Sequence, residues 1–275
     1  MASTQLARAD PETVDLMGLG FAMLSERSTI EHVLDELSRG RGGWICTANV
    51  DILRQWARSP EIRALIADAN LIVADGMPLL WASTLQGTPL PERVAGSTLI
   101  SSLTAAAALQ GASVFLLGGN PGTADEAARR LALSNPGLRV AGTLCPPFGF
   151  EQQSDYLDLI ASTLLAADPD IVYVGLGFPK QERLISWLRE LLPNAWFVGC
   201  GVGFSFIAGE MTRAPRFFQR VGLEWCFRLA QEPRRLGRRY VLDGIPFALA
   251  MMSRALSRRA SAARQRTRSA TTRRA

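Results

Sequence analysis

Apolar positions along the chain come in two alternating kinds. Short continuous runs at 43–47, 71–74, 113–117, 171–175 and 196–198 are rich in β-branched and aromatic residues and lack polar alternation, the mark of strands buried on both faces, and 138–142 reads as a further strand. Between them, residues 30–37, 51–69, 78–85, 99–109, 124–133 and 155–166 carry apolar residues at helical spacing, with a break near Pro60, and a further helix opens with Leu184, Ile185 and Leu188. Residues 14–21 read as one first strand. Strands alternating with helices predict an α/β fold with a mostly parallel, doubly wound sheet. From Pro215 the pattern changes. A helix over 223–230 holds Trp225, Phe227 and Leu229, and Pro233 breaks it. Residues 234–239 are basic, 240–252 apolar with a break at Asp243-Gly244, and 254–274 basic again. The expected organisation is a disordered leader (1–12), an α/β domain (13–214), a helical appendage (215–258) and a basic disordered tail (259–275).

Charge sharpens this division. The 275 residues carry a net charge of +5, but residues 213–275 alone contribute +13, which leaves −8 on the preceding body. An acidic body with a basic end suits a polyanionic partner such as phospholipid, a lipid-linked diphosphate or nucleic acid. Apolar and aromatic residues interleaved with arginine after Pro215 fit a helix lying in a membrane interface. No apolar stretch reaches the roughly 20 residues of a spanning helix, and residues 1–12 lack the basic and apolar regions of a signal peptide. Cys46, Cys145, Cys200 and Cys226 fit no zinc spacing and are expected to be reduced thiols of a cytoplasmic protein. The one histidine, His32, lies on an expected helix and reads as structural.

Three strand ends bear the groups that could do chemistry. Thr47 and Asn49 leave one strand, Asp75 the next, and Gln181 follows a third through the turn Gly175-Leu176-Gly177-Phe178-Pro179. In a parallel sheet these ends share the edge where open α/β folds bind ligands, and helix N-termini there favour anions. A single carboxylate at the lip of an apolar strand suits a general base, because burial raises its pKa; a turn or helix cap is the alternative for Asp75-Gly76. Arg93, in the loop 87–96, is a candidate for phosphate or for a loop ion pair. Asp168-Pro-Asp170 has the form of a metal-binding D-x-D, but it opens its strand and so lies at the opposite edge, which predicts no metal dependence. Gly199, Gly201 and Gly203 suggest a nucleotide-dependent oxidoreductase, yet the spacing is G-x-G-x-G rather than G-x-G-x-x-G. A nucleic-acid-binding module is the other alternative; the arginine-rich tail has the charge for it but no recognisable reading motif.

Seven runs in order, T-A-N-V-D (47–51), A-D-G-M-P (74–78), E-R-V-A-G (92–96), L-L-G-G-N-P-G (116–122), V-G-L-G-F-P-K-Q-E (174–182), A-G-E-M-T-R-A-P (208–215) and G-L-E-W-C-F-R-L-A-Q-E-P-R-R (222–235), resemble the WecG/TagA/CpsF glycosyltransferases. The resemblance implies a Rossmann-like sheet and an inverting transfer of N-acetylmannosamine, its uronic acid or glucose from a UDP-sugar to a polyprenyl-diphosphate-linked saccharide. The setting it implies is the inner face of the bacterial membrane, in teichoic acid, common antigen or exopolysaccharide assembly. It places the base at Asp75 and polar pocket residues at Thr47, Asn49, Arg93 and Gln181. The appendage would touch the membrane and complete the site, with Arg228, Arg235 and Arg238 on the acceptor diphosphate. No cofactor or metal is expected, since arginines and helix N-termini can stabilise a departing diphosphate. Donor selectivity is expected in the loops 118–123 and 143–150. Trimming the chain near residue 215 is expected to give a more soluble, nearly inactive protein.

Overall fold

The computed structural model describes residues 11–215, 217, 218 and 222–272, the side chains of Arg235, Ala263 and residues 266–272 excepted. Its centre is a six-stranded, wholly parallel sheet in the order β4-β3-β8-β7-β5-β6. The strands are β3 (Gly43–Ala48), β4 (Leu71–Ala74), β5 (Ser113–Gly118), β6 (Arg139–Leu144), β7 (Ile171–Gly175) and β8 (Trp196–Gly199). The sheet is Rossmann-like in being open, parallel and covered on both faces, though its strand order is not the usual 3-2-1-4-5-6 of dinucleotide folds.

Successive residues of each strand serve opposite faces. Trp44 and Cys46 of β3, Phe115 and Leu117 of β5, and Val172 and Val174 of β7 enter one buried cluster; Ile45, Val114, Leu116, Ile171 and Tyr173 enter the other. Both faces are apolar, so the runs show no polar alternation. The flanking helices are α1 (Glu26–Ser38), α2 (Val50–Arg58), α3 (Pro60–Ala67), α4 (Met77–Gln86), α5 (Gly96–Leu109), α6 (Thr123–Ser134), α7 (Ser154–Ala167), α8 (Lys180–Leu191) and α9 (Gly203–Ala208). The break expected near Pro60 falls at Ser59, whose side chain accepts from Ile62 N while Pro60 takes the first turn of α3.

The expected first strand is instead a hairpin, β1 (Thr13–Leu16) and β2 (Leu19–Ala22), separate from the main sheet. Met17 (φ 58°) and Gly18 (φ 97°) make the turn, with both central residues in the left-handed region that matches strand twist. Methionine hides that turn from a composition-based reading. His32 meets Trp196 edge-on at 5.9 Å between ring centroids, which fits a structural role. All four cysteines are free thiols, and no cluster of metal-ligating side chains occurs among the described residues. Asp170 accepts hydrogen bonds from Ser113 N (2.6 Å) and Ser113 Oγ (2.7 Å), tying the starts of β7 and β5 together. The D-x-D pair thus works at the amino edge of the sheet.

After α9 come α10 (Glu224–Gln231), α11 (Pro233–Gly237), a stretch of wider turns over Arg238–Gly244, and the long helix α12 (Ile245–Thr272). α12 runs continuously through residues 259–272, where composition leads one to expect a disordered tail; its arginines and alanines are good helix formers. Of the expected leader, residues 1–10 lie outside the described residues, as do 273–275 at the other end. α12 packs on α4, and Phe247, Met251 and Ala255 join the core cluster beneath it. Ile245, Leu249 and Leu256, on the other side of the same helix, are exposed.

Candidate active site

The carboxyl ends of β3, β4, β8 and β7 lie side by side, as a parallel sheet requires. Thr47, near the end of β3, donates through Oγ1 to Gly199 O at 3.0 Å. It is buried and ties β3 to β8. Gly96 passes so close that a Cβ there would stand 2.6 Å from Gly199 O and 3.0 Å from Thr47 Oγ1. Asn49 caps α2: its Oδ1 accepts from Asp51 N (3.0 Å) and Ile52 N (3.1 Å). Both residues set the local backbone, a substantial task whatever they also offer to a ligand.

Asp75 leaves β4 with its N–H donated to Ala48 O at 2.9 Å, while Val94 N donates to Ala74 O, also at 2.9 Å, holding the Arg93 loop alongside. Gly76 follows at φ 155°, ψ 136°, a conformation essentially reserved for glycine. The chain turns there into α4 and leaves the Asp75 carboxylate at the lip. Asp75 retains some surface open to the cleft, yet protein atoms crowd around it. Burial pushes its carboxyl up from 3.8 to about 6, against Arg93; Glu224 raises it further, and Arg228 and Arg213 lower it.

Those neighbours come from both parts of the chain. Arg93 Nη1 donates to Glu224 Oε2 at 2.5 Å. Arg213 Nη2 donates to Thr98 Oγ1 at 2.7 Å, and its Nε lies 4.0 Å from Glu224 Oε1. Glu224 and Arg228 stand four residues apart on α10, hence on one helical face. The Nε atoms of Arg213 and Arg228 are buried without a hydrogen-bond acceptor. Two acids, Asp75 and Glu224, and three arginines, two of them with an unpaired Nε, therefore share one cleft, a setting suited to a phosphate.

Of the other two arginines expected on the acceptor diphosphate, only Arg238 can be placed. The side chain of Arg235 lies outside the described residues. Arg238 is exposed in the wide-turn stretch, and a common helix face for 228, 235 and 238 does not form. Glu232, at φ −131° and ψ 59°, separates α10 from α11, because Pro233 cannot continue the first helix. The neighbouring Arg239 instead reaches the body, with Nε 2.9 Å from Asp51 Oδ2.

Gln181 is almost fully buried. Its Oε1 accepts from Gly177 N (3.1 Å) and Gly201 N (3.3 Å), and its Nε2 donates to Glu182 Oε1 at 2.8 Å. It braces the turn after β7 against the loop after β8. A Cβ on Gly199 would meet Gln181 Nε2 at 2.5 Å, so this glycine of the G-x-G-x-G run serves close packing on Gln181. Glu182 itself is 1% exposed, with Oε2 lacking a partner. Burial pushes its carboxyl up from 4.5 to about 7, against the Gln181 hydrogen bond and a backbone one. The unfolded chain loses this proton first, so the Glu182 contribution to stability is full below pH 4.5 and is lost as pH rises to about 7. Thermal melts across that window should show Glu182 costing the wild type on the order of 3 kcal/mol, beside a loss from the raised Asp75 carboxyl. Glu182→Gln should remove the Glu182 share and leave the Asp75 share; an unchanged slope would place the titration elsewhere.

Arg213, Glu224 and Arg239 are site neighbours that sequence reasoning passed over. The i, i+4 spacing of Glu224 and Arg228 was the one available signal. The two loops expected to govern donor choice are cross-tied: Cys145 Sγ donates to Gly119 O at 3.3 Å. Lys180 Nζ pairs with Glu151 Oε1 at 2.7 Å and stands over the Phe148 ring, 5.1 Å from its centroid. Phe148 is fully exposed.

The glycosyl transferase WecG/TagA/CpsF family matches residues 14–261. An N-acetylglucosaminyldiphosphoundecaprenol N-acetyl-beta-D-mannosaminyltransferase of Bacillus spizizenii is 36% identical over 200 residues, which cover 72% of this chain and 75% of that protein. The match spans both the sheet and the appendage that brings Glu224 and Arg228 to Asp75, and the chain belongs to the WecG/TagA/CpsF glycosyltransferase family.

Proposed function

We propose that this glycosyltransferase moves a sugar from a UDP-sugar to a polyprenyl-diphosphate-linked saccharide with inversion, and that Asp75 is the base. One observation carries this reading: a half-buried carboxylate with a pKa of about 6 stands among Arg93, Arg213 and Arg228 at the carboxyl edge of the sheet. Inversion needs one group to take the proton from the acceptor hydroxyl as its oxygen attacks the anomeric carbon. The bond to the UDP oxygen then breaks, and negative charge grows on the departing diphosphate. Guanidinium groups with spare N–H donors can stabilise that charge without a metal. Arg228 is assigned to a diphosphate on this ground; Arg235 and Arg238 are assigned by resemblance alone. Thr47, Asn49 and Gln181 hold the backbone at the strand ends beside Asp75 in this reading.

N-acetylmannosamine is the first donor to try and a GlcNAc-diphosphate lipid the first acceptor, because the Bacillus relative bears those names. No described helix is long and apolar enough to cross a membrane. The exposed stripe Ile245, Leu249 and Leu256, together with Val241 and Leu242, supports a peripheral seat on the cytoplasmic membrane face, with arginines beside it to meet anionic lipid.

The direct test measures UDP release from a panel of UDP-sugars with a short-chain polyprenyl-diphosphate-GlcNAc acceptor, in anionic lipid, with and without EDTA. Acceptor-dependent release from one donor, unchanged by EDTA, is expected. Release that needs a divalent cation would remove the metal-independent mechanism, and silence with every donor would remove this acceptor class.

A further inference from the structure

An aspartate surrounded by three arginines ordinarily closes an ion pair and becomes a weak base. Asp75 does not: it forms no ion pair among the described residues, although Arg93, Arg213 and Arg228 all act on it. The geometry shows what occupies the Arg93 guanidinium. Glu224 holds Arg93 Nη1 at 2.5 Å and lies 4.0 Å from Arg213 Nε. Glu224 and Arg93 are both mostly buried, with side-chain exposures of 15% and 18%, so solvent screens this pair little. Glu224 belongs to the appendage and Arg93 to the catalytic domain.

We propose that Glu224 is a positioning residue for the reaction: by holding Arg93 it keeps that guanidinium from closing on Asp75, so the base stays free only while the appendage is docked. The inference rests on reading Asp75 as the base and adds a partner that sets its strength. The charged groups facing the pair are Arg93 from the loop before α5, Arg213 from the segment after α9, Glu224 and Arg228 from α10, and Glu26 from α1, which acts on Arg93. With Glu224 neutral, three guanidinium groups face one carboxylate, and Arg93 has lost its other acceptor. Pairing with Asp75 then lowers the carboxyl's pKa and reduces its power to take a proton.

The test uses the full chain with 13C-labelled aspartate, following the carboxyl resonance that Asp75→Asn removes, beside the pH dependence of acceptor-dependent UDP release. In Glu224→Gln the Asp75 titration should fall by about one pH unit or more, a tenfold change in its dissociation constant. The acid limb of the rate should move with it, and the plateau rate should drop. In the Arg93→Gln background the same Glu224→Gln change should lower the titration by much less, leaving only the direct effect of the lost Glu224 charge, because the guanidinium that Glu224 holds is gone. An unmoved Asp75 resonance in Glu224→Gln overturns the proposal and leaves the base assignment standing. A shift that persists undiminished without Arg93 also overturns it, since that is plain through-space charge. A resonance that moves while the rate limb stays put removes Asp75 as the base and with it the Glu224 role in the reaction. Glu224→Asp, which retains the charge but loses reach, should shift the titration in the same direction by less, and it replaces the Gln variant if that chain does not fold.

Discussion

Asp75→Asn should lower turnover by about 10²–10⁴-fold, the usual contribution of a positioned general base. The fold should survive, since the Asp75 contacts that shape the chain are made by its backbone N–H and by Gly76. An amide is nearly isosteric and relieves the cost of keeping a charge in the cleft, so thermal stability should hold or rise at neutral pH. The wild-type rate should fall as pH drops through about 6, because the base form is lost below the raised pKa. Single-turnover release of UDP across pH 5–8 reads both effects. Activity of the Asn variant within tenfold of wild type would remove Asp75 as the base.

Cutting the chain at Pro215 should abolish turnover for two separable reasons. The cut removes Glu224 and Arg228 from the cleft, and losing a group that stabilises transition-state charge costs about 10²–10³-fold. It also strips Phe247, Met251 and Ala255 from the core cluster over α4. Leu79 and Ala82 of α4, fully buried in the whole chain, lie in the same cluster and lose part of their cover. The structure thereby reverses the solubility expected from sequence: the truncate should melt earlier and aggregate. Arg228→Ala separates the two reasons, with an expected loss of about 10²–10³-fold at nearly unchanged melting temperature. A monomeric truncate with more than a tenth of wild-type turnover would remove the appendage from the site.

Much of this was legible because burial on both faces writes strands as plain apolar runs. The run 71–74 coincides with β4, and parallel pairing alone puts Asp75 and Asn49 on one edge. What lay beyond reach depended on partners far apart in sequence. Gln181 reads as a pocket residue, but its buried amide spans Gly177 and Gly201. Spacing could align Arg228 with Arg238, whereas the break at Glu232 turns Arg238 outward and Arg239 toward Asp51. Glu224 looked like one more acid in a helix; only the fold shows that it meets Arg93. The helix over 259–272 escaped notice for the opposite reason, since a basic low-complexity composition was taken at face value and helix propensity was not.

The separation of Arg93 and Glu224 by 131 positions also sets an order of events during synthesis. The sheet is complete once Gly199 has emerged, and Asp75 is then already at its lip. The residues that finish the cleft and cover α4 follow later. At about 5–20 residues per second, the ribosome needs roughly one to five seconds to pass from Gly199 to Glu224. A nascent chain therefore completes its sheet before it holds a working cleft, and transfer chemistry waits for the appendage.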